Sequence, residues 1–199
     1  MEAPTPNTDR LETFSDGIFA VAATLLVLNL HDPKGTHLAR HLAGEWPHYA
    51  VYVVSFLTIG IIWMNHHALY TRIAGADRTL QVLNLFLLMF VTLIPFPTGL
   101  LADHLNTGND AQVAAAVYAA TLLAMSISFF STYLWAAHKK LFGEWVAEHV
   151  GYLIRRNAAG LLVYVAAIGV AFANPSISLA LCGLVALYYL HPGRPLKAD

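Results

Sequence analysis

The sequence predicts an all-α membrane protein with six transmembrane helices per subunit. Of its 199 residues, 57% are hydrophobic and 12% are charged, whereas charged residues make up about 25% of a typical soluble domain. The apolar residues lie in long blocks rather than in alternation, which is typical of a chain that crosses a membrane several times. The net charge of −1 provides no excess of basic residues for a nucleic acid. The expected surroundings are therefore the lipid bilayer, and no nucleic-acid partner is expected.

Six apolar blocks are long enough, or nearly so, to cross the hydrocarbon core, which takes about 20 helical residues. Asn174 and Pro175 separate the last two blocks and predict a helix N-cap followed by a first-turn proline. We therefore expect a single domain over 1–199, with spans at approximately 10–30, 47–70, 80–101, 111–137, 157–173 and 175–190.

The distribution of basic residues predicts that both termini are cytoplasmic. With the N-terminus inside, only Lys34 and Arg40 fall on the outer side, as the positive-inside rule requires. The first block lacks a basic leader and a small-residue cleavage site, so we expect it to remain as a span rather than to act as a signal peptide. The nine inner basic residues are Arg10, Arg72, Arg78, Lys139, Lys140, Arg155, Arg156, Arg194 and Lys197.

Prolines and charged residues predict the irregular parts of the chain. Pro95 and Pro97 lack the backbone N–H that a helix needs, so the third span should break or kink near its outer end. Residues 31–46 are typical of an outer turn followed by a short amphipathic helix. Residues 138–153 are typical of a charged cytoplasmic linker that contains an interfacial helix.

The remaining candidate ligands give weak signals. His37, His41 and Glu45 have helical spacing and could bind zinc at the outer surface. Such residues more often form the water-exposed face of an amphipathic helix, so no metal site is expected. The single cysteine, Cys182, lies in an apolar run and is expected to serve packing.

The first span has one smooth face. At 100° per residue, seven of its residues fall within about 60° of one line. This stripe is apolar except for a threonine and the arginine at its inner end. From spacing alone, ordinary helix packing explains the stripe best. Its members are Arg10, Phe14, Gly17, Val21, Thr24, Leu25 and Leu28.

Ser15 and Asp16 point away from this stripe, and a carboxylate inside a membrane needs a partner. The second span runs in the opposite direction and brings a W-x-N-H-H sequence to the same depth. We expect an Asp–His or Asp–Asn contact, with the Trp63 indole as a further donor. A structural brace is the favoured interpretation, and a proton relay is the alternative. The residues of that sequence are Trp63, Asn65, His66 and His67.

These residues also carry a resemblance. The pattern R-x-x-x-F-S-D at Arg10, Phe14, Ser15 and Asp16, together with W-x-N-H-H and six spans, resembles the prokaryotic members of the transmembrane protein 175 family. Those proteins are single-unit relatives of the endosomal and lysosomal potassium channel. The resemblance covers the whole chain in topology, and its specific part is the first helix.

The resemblance implies a potassium-permeable cation channel of the plasma membrane, not an enzyme, in which four chains surround a central pore lined by helix 1. By position, Val21 would form the narrowest ring of a hydrophobic gate, with Leu25 and Leu28 outward of it. Thr24 matches the threonine linked to potassium preference. Relatives commonly carry isoleucine or leucine at Val21, so a wider constriction is implied here. Monovalent cations are the expected permeant partners, and no cofactor is expected.

Two other classes of function remain open at this stage. A proton-coupled secondary transporter or a proton-conducting channel would use Asp16 and His66 or His67 as a proton relay. A membrane-embedded metalloenzyme is suggested by the histidine count but not by the histidine spacing.

Overall fold

The computed structural model describes residues 8–31, 37–73, 75–142 and 144–190, with the side chains of 144–150 and Leu153 excepted. Its described residues form helices joined by short connections. A 3-10 turn, Leu26–Asn29, extends the first helix. The helices are α1 (Asp9–Leu25), α2 (Leu38–Gly44), α3 (Trp46–Tyr70), α4 (Arg78–Leu93), α5 (Pro95–His104), α6 (Asn109–His138), α7 (Glu144–Ala171) and α8 (Pro175–Leu190).

Five helical segments of the described chain are long and apolar enough to cross a membrane. The predicted class, an all-helical protein with several membrane spans, is confirmed. The sixth predicted span corresponds to α8, a shorter apolar helix of 16 residues, which is about 24 Å long at 1.5 Å per residue. The five longer segments are Asp9–Asn29, Trp46–Tyr70, Arg78–His104, Asn109–His138 and Ile154–Ala171.

The third segment breaks at the predicted prolines. α4 ends at Leu93 and α5 begins at Pro95. Between them the Ile94 N–H bonds to the carbonyl of Val91, three residues earlier, at 3.2 Å. The chain makes this bond across three residues, instead of the four-residue bond of an α-helix, because Pro95 and Pro97 have no backbone N–H to donate.

The C-terminal end of the first segment also contacts this break. The Asn29 side-chain amide donates to the backbone carbonyl of Pro95 at 2.9 Å. A Cβ atom at Gly99 would lie 2.7 Å from Asn29 Oδ1, so any larger residue at Gly99 would force the Asn29 side chain to shift. The C-terminal end of the first segment is therefore tied to α5.

The interior of the protomer is organised around α6, which packs against α4, α5, α7 and α8. Buried alanines along α6 allow close helix approach. A buried hydroxyl cluster joins three helices: Ser55 Oγ lies 2.8 Å from Thr98 Oγ1 and 2.9 Å from the Tyr118 hydroxyl. Because all three side chains are buried, these bonds hold α3, α5 and α6 in register.

The last two helices form the predicted hairpin. The Asn174 side-chain oxygen accepts from the Ile177 N–H at 3.1 Å, which confirms the N-cap before Pro175. α7 begins at Glu144, so the part of the predicted linker from that residue onward is continuous with the span. Cys182 is fully buried, in agreement with a packing role.

Candidate pore helix

α1 presents two different faces in the protomer. Its buried face carries Ser15, Phe19 and Ala22. The opposite face is open, and every residue of the predicted stripe lies on it. Among these residues Phe14 is 53% exposed, Val21 55%, Leu25 41% and Leu28 72%, and Arg10, Gly17 and Thr24 are also exposed.

Lipid contact alone does not account for this face. α7 also has an exposed side, but from Ala159 to Gly169 its exposed residues are all apolar, as a surface against lipid tails requires. The exposed side of α1 carries Asp16 and Thr24 among its apolar residues. Polar groups at membrane depth are expected to face protein or a water-filled cavity.

The hydroxyl of Thr24 is oriented by its own helix. Thr24 Oγ1 donates to the carbonyl of Val21 at 2.9 Å. Because this bond uses the only hydroxyl proton, the oxygen can offer just its lone pairs to the open side. A ring of such oxygens attracts cations and repels anions.

Asp16 lies at the edge of the stripe rather than within the core. Its Oδ1 accepts the indole N–H of Trp63 at 2.8 Å, and both side chains are exposed in the protomer. The expected donor Trp63 is therefore present. This bond connects α1 to α3 beside the open face.

The buried side of α1 is anchored by a different set of residues. Asn84 Nδ2 donates to Ser15 Oγ at 3.0 Å, and Ser15 Oγ donates in turn to the carbonyl of Leu11 at 2.8 Å. Because the amide nitrogen of Asn84 is a donor, its Oδ1 accepts from His66 Nε2 at 2.8 Å. Ser15, His66 and Asn84 are fully buried. The chain of bonds joins α1, α4 and α3.

The residues of the W-x-N-H-H sequence lie in different environments in the structure. Trp63 reaches Asp16, whereas His66 pairs with Asn84, stacks on Tyr70 and contacts the edge of Phe19. Asn65 donates to the carbonyl of Ile61 in its own helix, and His67 is exposed. The spread follows from helix geometry, since neighbours in sequence point about 100° apart. The expected Asp–His or Asp–Asn contact is thus replaced by the Trp63 bond.

Asn84 was missed by sequence reasoning, although a signal was available. It is an amide side chain within the apolar third span, and such a group needs a partner inside a membrane. The sequence does not show which helix supplies that partner.

A groove lies between α1 and α3 next to the stripe. It has a volume of about 290 Å³ and is lined by small and apolar residues together with the Asp16–Trp63 pair. Ala20, Ala23 and Gly60 leave the backbones accessible there. Apart from the Asp16–Trp63 pair, the lining of the groove is therefore apolar.

Comparisons with known proteins agree with this geometry. The sequence model of the family described as endosomal/lysosomal potassium channel TMEM175 matches residues 10–95, which include Ser15, Asp16, Trp63, His66 and Asn84. A protein of Streptomyces collinus named as a potassium channel is 43% identical over 186 residues, or 90% of each chain. The chain belongs to the TMEM175 family.

Other TMEM175 proteins extend the comparison. The crystal structure of a homologue from Chamaesiphon minutus, described as a lysosomal potassium-selective channel TMEM175 homolog, superposes with a TM-score of 0.84 at 35% identity. It covers 92% of this chain and 96% of the homologue. The TMEM175 protein of Gallus gallus, named as an endosomal/lysosomal proton channel, is 30% identical over 138 residues, and the match covers 27% of its length.

Proposed function

We propose that this TMEM175 protein is the subunit of a potassium-permeable channel in the plasma membrane. Four copies assemble around a central pore lined by α1, and the protein has no enzymatic activity. The observation that carries the proposal is the open face of α1, which combines exposed Val21, Leu25 and Leu28 with an outward hydroxyl oxygen at Thr24. The potassium-channel names of the Streptomyces and Chamaesiphon relatives support the same ion.

Along the axis of α1, the residues of the stripe form successive rings of the proposed pore. Val21 forms the narrowest ring, and the rings of Leu25 and Leu28 lie about 6 Å and 10 Å further outward at 1.5 Å per residue. A narrow apolar ring gates by losing its water, because an ion cannot pass without hydration or substitute ligands. Thr24 supplies such substitute oxygens next to the ring. No cofactor is needed, since K⁺ is the permeant ion.

Symmetry follows from the single stripe. One helix cannot enclose a pore, so copies of the same face must meet on a rotation axis. The groove beside Ala20, Ala23 and Gly60 offers a site for the neighbouring subunit. The Asp16–Trp63 bond then braces each pore helix next to this contact.

The proposed topology places both termini in the cytoplasm. α8 serves as the sixth span, with local bilayer thinning to compensate for its short length. Arg10, one of the nine basic residues on the cytoplasmic side, then lies at the inner mouth of the pore.

Proton conduction through Asp16 and His66 or His67 is the second candidate, favoured by the name of the Gallus relative. The hydrogen bonds that Asp16 and His66 make to other described residues do not form a relay. Asp16 accepts from an indole, which is a donor only, and His66 bonds to an amide. Neither partner passes a proton onward, so we favour potassium permeation.

Flux from liposomes tests the proposal. The purified full chain in potassium-loaded vesicles should release K⁺ down its gradient, with no coupled ion and with no change when the pH gradient is removed. Asp16→Asn should retain permeation per assembled channel, because the asparagine oxygen still accepts from Trp63. Absence of K⁺ release, or release that requires a proton gradient, contradicts the proposal and favours the transporter.

A further inference from the structure

Three side chains converge at the outer end of the described chain, away from the polar anchor of α1. His31 follows the 3-10 turn that ends the first segment, His48 lies in the first turn of α3, and Asp103 lies in the last turn of α5. One ligand atom from each lies within 4.8 Å of the other two. Residues from three separate elements therefore share one small volume.

His48 is at the centre of this group. Its Nε2 lies 2.9 Å from Asp103 Oδ1, and its Nδ1 lies 2.8 Å from Glu45 Oε2. The His48 side chain is only 12% exposed. Its ring lies edge-on to that of His31, with centroids 5.0 Å apart at an interplanar angle of 88°. Glu45 places a carboxylate beside the second ring nitrogen at ion-pair distance, although that nitrogen makes no hydrogen bond to a described residue. Metal-binding histidines commonly have a carboxylate at this position.

The dimensions are close to those of a zinc site. Zinc bonds to nitrogen and oxygen at about 2.0–2.1 Å, so the ligand atoms of a tetrahedral site are about 3.3 Å apart. The ligand atoms all lie within 4.8 Å of one another, so their separations need to close by at most about 1.5 Å. His31 and Asp103 are exposed, which gives an ion access from the outer solution.

We propose that His31, His48 and Asp103 form a binding site for a zinc-class divalent cation. Two imidazoles and one carboxylate suit Zn²⁺, Co²⁺ or Ni²⁺, whereas Ca²⁺ and Mg²⁺ require more oxygen ligands. Three protein ligands leave the fourth tetrahedral position to water. The ordinary alternative is a His48–Asp103 ion pair beside an unrelated histidine.

The site differs from the zinc site that sequence spacing suggested. His37 and His41 lie outside the group, and Glu45 lies behind the His48 ring rather than among the ligand atoms. An ion at the proposed site would link the outer end of α1 to α3 and α5, and this consequence does not depend on which ion permeates the pore.

Metal binding to the purified full chain tests the site. The protein should carry an affinity tag without histidines and be treated with chelator before use. With Co²⁺ as the probe, we expect one ion per chain and the intense visible d–d band of a four-coordinate site. With Zn²⁺, we expect an increase in melting temperature, because the ion joins three elements.

Variants distinguish the proposed ligands from other histidines. His31→Ala and Asp103→Asn should each weaken Co²⁺ affinity about 10–100-fold, at least as much as loss of a supporting group does. Asp103→Asn keeps a hydrogen-bond acceptor for His48, so folding should be preserved. The control His37→Ala/His41→Ala should retain the affinity of the unaltered protein. The proposal is overturned if no Co²⁺ band appears, or if the control loses binding while Asp103→Asn retains it.

Discussion

Single side chains on the open face of α1 carry the proposed conduction properties. Val21 is shorter than leucine or isoleucine, and its side chain is 55% exposed in the protomer. The dewetting of an apolar ring depends on its radius, so a change of one or two methyl groups at Val21 changes the barrier to ions.

We expect Val21→Ala to raise the K⁺ leak from liposomes several-fold, because a wider ring stays hydrated. Val21→Leu should lower the leak at the same site, and it therefore serves as the matched variant of opposite sign. Flux is measured per assembled channel after size-exclusion chromatography. Equal flux in all three proteins would mean that the constriction lies elsewhere.

Thr24 should determine ion preference rather than flux. Its outward oxygen replaces part of the ion's hydration shell, so Thr24→Ala should reduce the K⁺/Na⁺ permeability ratio toward one. Thr24→Ser keeps the hydroxyl and should keep most of the preference. Reversal potentials in asymmetric solutions measure the ratio. An unchanged ratio in Thr24→Ala would remove this residue from the selectivity site.

At the scale of elements, one side of α1 is hydrogen-bonded to other helices, and the opposite side is exposed in the protomer. Asn84 links its buried side to α4 and α3 through Ser15 and His66, and Asn29 ties its outer end to α5. Its face and the break at Pro95 were predictable from sequence, because both depend on local spacing and on proline chemistry. The partners Asn84 and Asn29–Pro95 were not, because they join residues far apart in the chain.

The anchor predicts a stability effect at Asn84. Asn84→Leu should lower the melting temperature, because Ser15 Oγ and His66 Nε2 each lose a buried partner at a cost of about 1–3 kcal/mol. Asn65→Leu is the matched control, since Asn65 bonds only within its own helix in the structure. Thermal unfolding followed by tryptophan fluorescence separates the two. Equal destabilisation by both variants would contradict the anchor.

At the scale of the whole molecule, the stripe on α1 has no partner within the described chain, which is what the proposed assembly requires. The fold class was predictable from composition and from the length of the apolar blocks. The groups formed by Ser55–Thr98–Tyr118 and by His31–His48–Asp103 were not predictable, because each joins residues from three distant parts of the chain and sequence periodicity does not show how those parts pack. Assembly through α1 is the claim on which the proposed channel depends.

Cross-linking between single cysteines on neighbouring chains tests this assembly. Leu28→Cys and Leu162→Cys are compared in membranes, each in a Cys182→Ser background that leaves one cysteine per chain. The two positions are equally open in the protomer, at 72% and 71% exposure, but Leu28 lies in the 3-10 extension of α1 and Leu162 lies on α7. Convergence of α1 on a symmetry axis predicts covalent dimers at Leu28→Cys and monomers at Leu162→Cys after treatment with a short thiol cross-linker. Dimers at Leu162→Cys with monomers at Leu28→Cys would contradict a pore lined by α1.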